Sequence, residues 1–204
     1  MSRPRAKKIK LLILDVDGVM TDGKIYLFPA PAGTQQTLRE DQEKYADKGG
    51  FSVSSDSMVE AKGFHAHDGT AISLARLGGI KTAVITKRIS ETVRLRCRDL
   101  RIDHVYQGIS VKLAAMQEIL TKEGLTVDQA AYLGDDVIDL PVMRVCGLAI
   151  AVANARDSVK QMAHIVTEHG GGDGAVRDAV EYILKAQGTL ERVVATYIGE
   201  RSPS

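Results

Sequence analysis

A chain of 204 residues, 44% of them apolar, is long enough to bury a full core, and its formal charge of +1 leaves no polyanion footprint, which excludes nucleic acid as a partner. Aromatic residues make up 4% with no Trp, too few for base-stacking platforms or for a membrane-interface belt, so no membrane partner is expected either. Arg3, Arg5, Lys7, Lys8 and Lys10 open the chain as a solvated basic start. The apolar run behind them is too short for a signal-peptide core, so a cytoplasmic protein organised as one domain over 1–204 is expected.

Leu11-Leu12-Ile13-Leu14 is a continuous apolar run, the signature of a strand buried on both faces, and it leads into Asp15-Val16-Asp17-Gly18-Val19-Met20-Thr21-Asp22-Gly23. Asp-x-Asp-Gly alone is an ordinary polar turn. Two carboxylates at the carboxyl edge of a buried strand also require a counter-charge, and Mg²⁺, a hard cation that takes oxygen ligands, supplies one. Residues 24–28 alternate as a strand and 58–64 as its return partner, so 24–64 reads as a β-hairpin flap. Its interior, 29–57, holds Pro29, Pro31, Gly49, Gly50 and a serine cluster without sustained periodicity, a long insertion that is either partly disordered or a functional lid.

Ala71, Ile72, Leu74, Ala75 and Leu77 form a helical stripe closed by Gly78-Gly79, and residues 80–85 form a strand ending at Thr86. Ser90 caps a helix through about Asp99, residues 104–106 make a short strand, and Ser110 caps a helix with Leu113, Met116, Ile119 and Leu120 on one face. Strands at 130–133, 148–152 and 164–167 follow, then a glycine run and a helix carrying Ala175, Val176, Ala179, Val180, Ile183 and Leu184, with 187–204 as a C-terminal tail. Strands and helices in alternation imply an α/β fold with a doubly wound, mainly parallel sheet. Cys97 and Cys146 lack Cys-x-x-Cys spacing and sit in apolar segments, as reduced, buried thiols.

On such a sheet the strand ends open on one crevice, which gathers Asp15, Asp17, Thr86, Asp135, Asp136 and Asp139. Lys112, near a helix N-terminus, is a cation that the helix dipole disfavours unless an anion lies in front of it. The glycine run at 170–174 lacks the lysine of a nucleotide-binding loop and follows the last strand, which argues against a nucleotide.

Asp15 to Gly23, Ile85-Thr86, Lys112 and Gly134-Asp135-Asp136-Val137-Ile138-Asp139 together resemble the four motifs of the haloacid-dehalogenase-like phosphatases. More narrowly, residues 15–23, Val105-Tyr106-Gln107-Gly108, Asp139-Leu140-Pro141-Val142-Met143 and 171–178 resemble its cap-less, tetrameric branch, which acts on phosphorylated sugar acids. The resemblance implies that Asp15 is the nucleophile of an aspartyl-phosphate mechanism and Asp17 the general acid and base. It further implies that Mg²⁺ is bound by the Asp15 carboxylate, the Asp17 carbonyl and Asp135, while Thr86 and Lys112 hold the phosphoryl oxygens and Asp136 and Asp139 orient these groups. The sugar-acid contacts map onto His65, His67, Asp68, Gly69, Arg88, Arg96, Asp17 and Lys112, and the implied assembly is a homotetramer whose flap and tail close a neighbouring active site.

The implied substrate is 3-deoxy-D-manno-octulosonate 8-phosphate. Two departures from the family pattern keep a nine-carbon sugar-acid phosphate or a range of phosphate esters in view. Lys87 stands where the family has Gly between Thr and Arg, and His67 stands where it has Arg before Asp-Gly. A non-catalytic tetramerisation module of a nucleotide-sugar pathway is the reading from another class, and the intact acid set counts against it.

Overall fold

The computed structural model describes residues 2–33, 51–52 and 58–199. Its elements in chain order are α1 (Ser2–Ala6), β1 (Leu11–Leu14), β2 (Tyr26–Pro29), β3 (Phe51–Ser52), β4 (Met58–Ala61), α2 (Ala66–Leu77), β5 (Lys81–Ile85) and β6 (Arg88–Ile89). There follow α3 (Glu91–Leu100), β7 (His104–Tyr106), α4 (Lys112–Glu123), β8 (Ala130–Gly134), α5 (Leu140–Met143), β9 (Leu148–Ala151), α6 (Asp157–Met162), β10 (Ile165–Val166), α7 (Ala175–Gln187) and α8 (Leu190–Tyr197).

Six strands make one parallel sheet in the order β10, β9, β8, β1, β5, β7. Strand β1 is central, and every residue of Leu11–Leu14 is fully buried, which is why the sequence there is apolar without alternation. The chain moves from β1 outward through β5 and β7, then returns to the other side of β1 with β8, β9 and β10. That reversal beside β1 opens a crevice at the carboxyl end of the strand, the place where such sheets bind ligands. Helices α1, α2, α7 and α8 pack together as one layer, and α4, α5 and α6 as another. Burying each apolar side chain of β1 contributes about 1.5–3 kcal/mol, so the strand that presents the acids is also among the most firmly held.

The expected flap is present as β2 paired antiparallel with β4, Tyr26 opposite Ala61 and Pro29 opposite Met58. Most of the insertion expected over 29–57 lies outside the described residues, but β3 within it pairs parallel with β6, Phe51 opposite Arg88. One expectation, the cap of α4, needs correction, and two others gain structure. The basic start is solvated as expected, with Arg3, Arg5, Lys7, Lys8 and Lys10 all exposed, but it is also a helix anchored to the body: Ala6 is fully buried, Ser2 Oγ lies 2.6 Å from the Tyr182 hydroxyl, and Arg5 donates to the Gly147 carbonyl at 2.9 Å. Helix α4 is preceded by Val111, not capped by Ser110, and starts at Lys112 itself. The tail is helical through α8, which buries Val193 and packs on α2 and α7; residues 200–204 lie outside the described part.

Candidate active site

Asp15 follows β1 directly, and its backbone N–H still donates to the Leu133 carbonyl at 3.1 Å, so the sheet fixes it. Beyond it the chain coils tightly: the Val16 carbonyl accepts from the N–H groups of Val19, Met20 and Thr21 at 3.2, 2.9 and 3.1 Å. Gly18 in this turn has φ +85°, and a Cβ there would sit 2.2 Å from Asp135 Oδ2. Only glycine admits that carboxylate from β8 to the nucleophile loop. The glycine run behaves in the same way: a Cβ on Gly171 would fall 1.7 Å from the Gly18 carbonyl oxygen, and the Gly172 N–H donates to the Val19 carbonyl at 2.9 Å. Its role is a backbone brace for the turn at 16–22.

Lys112 is buried, with Nζ 2.6 Å from Asp15 Oδ2 and 2.8 Å from Asp139 Oδ1. The anions in front of this helix start are therefore two carboxylates of the chain itself, which resolves the conflict with the dipole without a ligand. Burial alone would lower the Lys112 ammonium, and Asp15 and Asp139 more than reverse this, leaving its pKa raised. Asp139 has no exposed surface; Oδ1 accepts from Lys112 and from the Tyr132 hydroxyl at 2.6 Å, and Oδ2 from the N–H groups of Asp135 and Asp136 at 3.0 and 3.3 Å. All its acceptor capacity serves to orient neighbours.

Oxygens of Asp15, Asp135 and Asp139 all lie within 4.8 Å of one another. Burial, with further repulsion from Asp139, pushes the Asp15 carboxyl up to about 6 although Lys112 opposes it; burial and the charges of Asp15 and Asp139 push Asp135 up to about 7. Asp135 Oδ1 is buried without a hydrogen-bond partner. An orphaned carboxylate oxygen beside a second raised carboxyl is the donor set a hard divalent cation fits, and Asp139, with both oxygens occupied, is better placed to orient the pair than to ligate.

The cleft over these groups has a volume of about 460 Å³, and Asp15, Asp17, Thr86, Lys87, Arg88 and Asp135 line it, joined by Asp136 and Asn154 at its margin. Thr86 is buried at the end of β5, its N–H on the Tyr106 carbonyl at 2.9 Å. Asp136 turns back on its own backbone, Oδ1 accepting from the Val137 N–H at 2.7 Å. Asp17 lies outside the three-acid cluster and is held by two cations, Lys62 Nζ at 2.6 Å from Oδ1 and Arg88 Nε at 3.3 Å from Oδ2.

His65, His67, Asp68, Gly69 and Arg96 do not line this cleft. They form a separate cluster: the two imidazoles meet edge to face at 4.8 Å, a Cβ on Gly69 would lie 2.6 Å from Arg96 Nη2, and Arg96 stacks over Phe64 at 5.7 Å. His65 Nδ1 and Arg96 Nε are buried without partners. Asp68 is committed elsewhere, its carboxylate accepting from the N–H groups of Gly174 and Arg177 at 3.3 and 2.9 Å, where it caps α7 from a distant element. Sequence reasoning misses Lys62, Tyr132 and Asn154. Tyr132 sits in an apolar run and looks like core. Asn154 lies in the turn beyond β9 and takes the Gly171 N–H at 2.9 Å.

A family model of haloacid dehalogenase-like hydrolases matches residues 86–178. The 3-deoxy-D-manno-octulosonate 8-phosphate phosphatase of Escherichia coli is 38% identical over 187 residues, 92% of this chain and 85% of that protein. Among solved structures, the phosphatase of the same name from Yersinia pestis superposes with TM-score 0.76 at 39% identity, covering 93% of this chain and 88% of that one. The one from Moraxella catarrhalis, a complex with a magnesium ion, a phosphate ion and a KDO molecule, gives 0.77 at 33% identity, covering 96% and 97%.

Proposed function

From the premise that the chain belongs to the haloacid dehalogenase-like hydrolases, we propose that it is a Mg²⁺-dependent phosphomonoesterase that converts 3-deoxy-D-manno-octulosonate 8-phosphate to the free sugar acid and phosphate. The observation that carries the reading is the buried triad in which Lys112 bridges Asp15 and Asp139 beside the orphaned Asp135 oxygen, inside a cleft large enough for a phosphoryl group. Magnesium bound by the carboxylates of Asp15 and Asp135 and the backbone carbonyl of Asp17 supplies the positive charge that lets a phosphate dianion approach these acids.

An Asp15 carboxylate oxygen attacks phosphorus, the ester P–O bond breaks, and its electron pair leaves on the sugar oxygen, which takes a proton from Asp17. Asp17 then accepts a proton from the water that cleaves the aspartyl phosphate, which releases inorganic phosphate and restores both acids. Thr86 donates to one phosphoryl oxygen and Lys112 neutralises another, both fixed before reaction by the sheet and by Asp139. Arg88 contacts the sugar acid within the cleft it lines, while His65, His67, Gly69 and Arg96, outside the cleft of their own chain, would contact a sugar acid across the assembly. The exposed imidazole of His67 and the unpartnered nitrogens of His65 and Arg96 support this, and Asp68 anchors their helix to α7.

The working form is a homotetramer in the cytoplasm, with the flap and the end of the chain closing a neighbour's cleft. The exposed apolar hairpin supports the assembly, and two free, buried cysteines support a reducing compartment. Among the described residues no helix is long and apolar enough to cross a membrane.

Release of phosphate from a panel of sugar-acid phosphates and an aryl phosphate, with and without Mg²⁺, tests the activity. Asp15→Asn is expected to abolish turnover and leave the melting temperature near that of the parent; turnover at the parent rate would refute the nucleophile. Because Lys87 lines the cleft where the family has Gly, the same panel decides a second reading, in which a nine-carbon analogue or simpler esters are turned over as well as the eight-carbon substrate.

A further inference from the structure

Lys62 lies on the chain just past β4, and its side chain has no solvent exposure. An ammonium taken wholly out of water is costly unless ion-paired and hydrogen-bonded, so its partners show what it is for. The first is Asp17 Oδ1 at 2.6 Å. The second is Glu60 Oε1 at 3.8 Å, and that same oxygen accepts from the Ser90 hydroxyl at 2.5 Å. Ser90 is itself held by two further hydrogen bonds: Oγ caps α3 by accepting from the Val93 N–H, and its own N–H donates to Gln107 Oε1 at 2.7 Å. A chain of polar contacts thus runs from Asp17 through Lys62, Glu60 and Ser90 to Gln107, tying the flap base to the helix and loop that follow β5 and β7.

Arg88 holds the other oxygen of Asp17, but at 3.3 Å and from a side chain 35% exposed in the cleft, where an incoming anion can compete for it. Lys62 offers no such exchange. We propose that Lys62, backed by Glu60 and Ser90, is a positioning residue that fixes the Asp17 carboxyl group where it passes its proton to the leaving oxygen. The inference rests on the phosphatase reading above and extends it to a residue outside the motif set.

Proton delivery matters when the leaving group is an alkoxide and little when it is a stabilised phenolate, which gives a readout that a merely structural lysine would not move. Pre-steady-state and steady-state hydrolysis of 3-deoxy-D-manno-octulosonate 8-phosphate and of 4-nitrophenyl phosphate are to be compared in Lys62→Met, Lys62→Arg and the parent with Mg²⁺. In Lys62→Met we expect kcat/KM for the sugar-acid ester to fall about 100-fold or more, while the rate of the first 4-nitrophenolate burst changes less than about threefold, within the range attributed to positioned proton transfer. Lys62→Arg, which keeps a cation and a donor, should recover part of the loss on the sugar-acid ester.

An equal loss on both substrates in a variant that melts cooperatively, or no loss on either, overturns the proposal. Should Lys62→Met not fold, Glu60→Gln, which leaves the lysine but removes its second carboxylate, carries the same comparison: a selective loss on the sugar-acid ester supports the proposal and the absence of selectivity overturns it. If the parent hydrolyses neither ester, the phosphatase reading itself fails; if it hydrolyses both and the variants show no selectivity, only the role of Lys62 does.

Discussion

Gly18 occupies the tightest point of the nucleophile loop, with φ +85° and a Cβ position 2.2 Å from Asp135 Oδ2. Gly18→Ala would both strain the backbone, at about 1–2 kcal/mol for the left-handed region, and push the Asp135 carboxylate out of line with Asp15. Since Asp135 is one of the two carboxyls assigned to the cation, the expected outcome is a Mg²⁺ half-saturation for activity at least about tenfold higher, equivalent to roughly 1.4 kcal/mol of lost binding. An Mg²⁺ titration of initial rates measures it, and an unchanged midpoint would show that Asp135 does not depend on the space Gly18 leaves. The residues whose convergence could be read from the chain alone, Asp15, Thr86, Lys112 and Asp135, share one property: each ends a strand or starts a helix in its own local pattern. Lys62 and Tyr132 carry no such mark: a lysine after a short strand acquires a role only through Asp17, 45 residues upstream, and a tyrosine in an apolar run only through Asp139 beyond the next turn.

At the scale of elements, the same contrast separates what local periodicity reveals from what tertiary contact decides. The central strands were legible because burial on both faces writes uninterrupted apolar runs at Leu11–Leu14 and Leu148–Ala151. Helix α1 was not, since five residues with a proline and two arginines have no period to detect, and β3 and β6 are two residues each. The cap of α7 was equally hidden: Gly174 at its N-cap has no side chain to accept from the first turn, and Asp68, far upstream on α2, serves instead through the Gly174 and Arg177 N–H groups. Asp68→Ala should therefore act as the loss of a helix cap, destabilising the fold by about 0.5–2 kcal/mol. For a domain of this size that is a fall in Tm of about 2–4 °C per kcal/mol, with the Mg²⁺ midpoint unmoved. A raised Mg²⁺ midpoint with no change in Tm would contradict the capping role.

For the whole molecule, the acid cluster makes stability, pH and metal interdependent. Asp15 and Asp135 have folded-state pKa values of about 6 and about 7, above that of a free carboxyl, so they favour the folded chain below about pH 4, and this contribution is lost as pH rises through those values. A divalent cation binds the deprotonated forms, so the rise in Tm on adding saturating Mg²⁺ should be larger at pH 8 than at pH 5, and an equal shift at both would remove these two carboxyls from the cation site. The second whole-molecule consequence lies in the flap: Tyr26, Leu27 and Phe28 are 44%, 48% and 52% exposed in succession along β2. Successive strand residues face opposite ways, so both faces of this hairpin present large apolar side chains to solvent, and burying only one face would leave the other uncovered. Helix α8 packs on its own subunit through Val193 yet leaves Tyr197 and Ile198 47% and 59% exposed, so the hairpin and the end of the chain both have apolar surface to give to a neighbour. Light scattering on the eluting protein should then give four times 22.1 kDa, and replacing Tyr26, Leu27 and Phe28 together by Ser should yield a smaller species with weakened turnover of the sugar-acid ester. A parent that elutes as a monomer at full activity would mean that the hairpin's apolar residues serve the single chain alone.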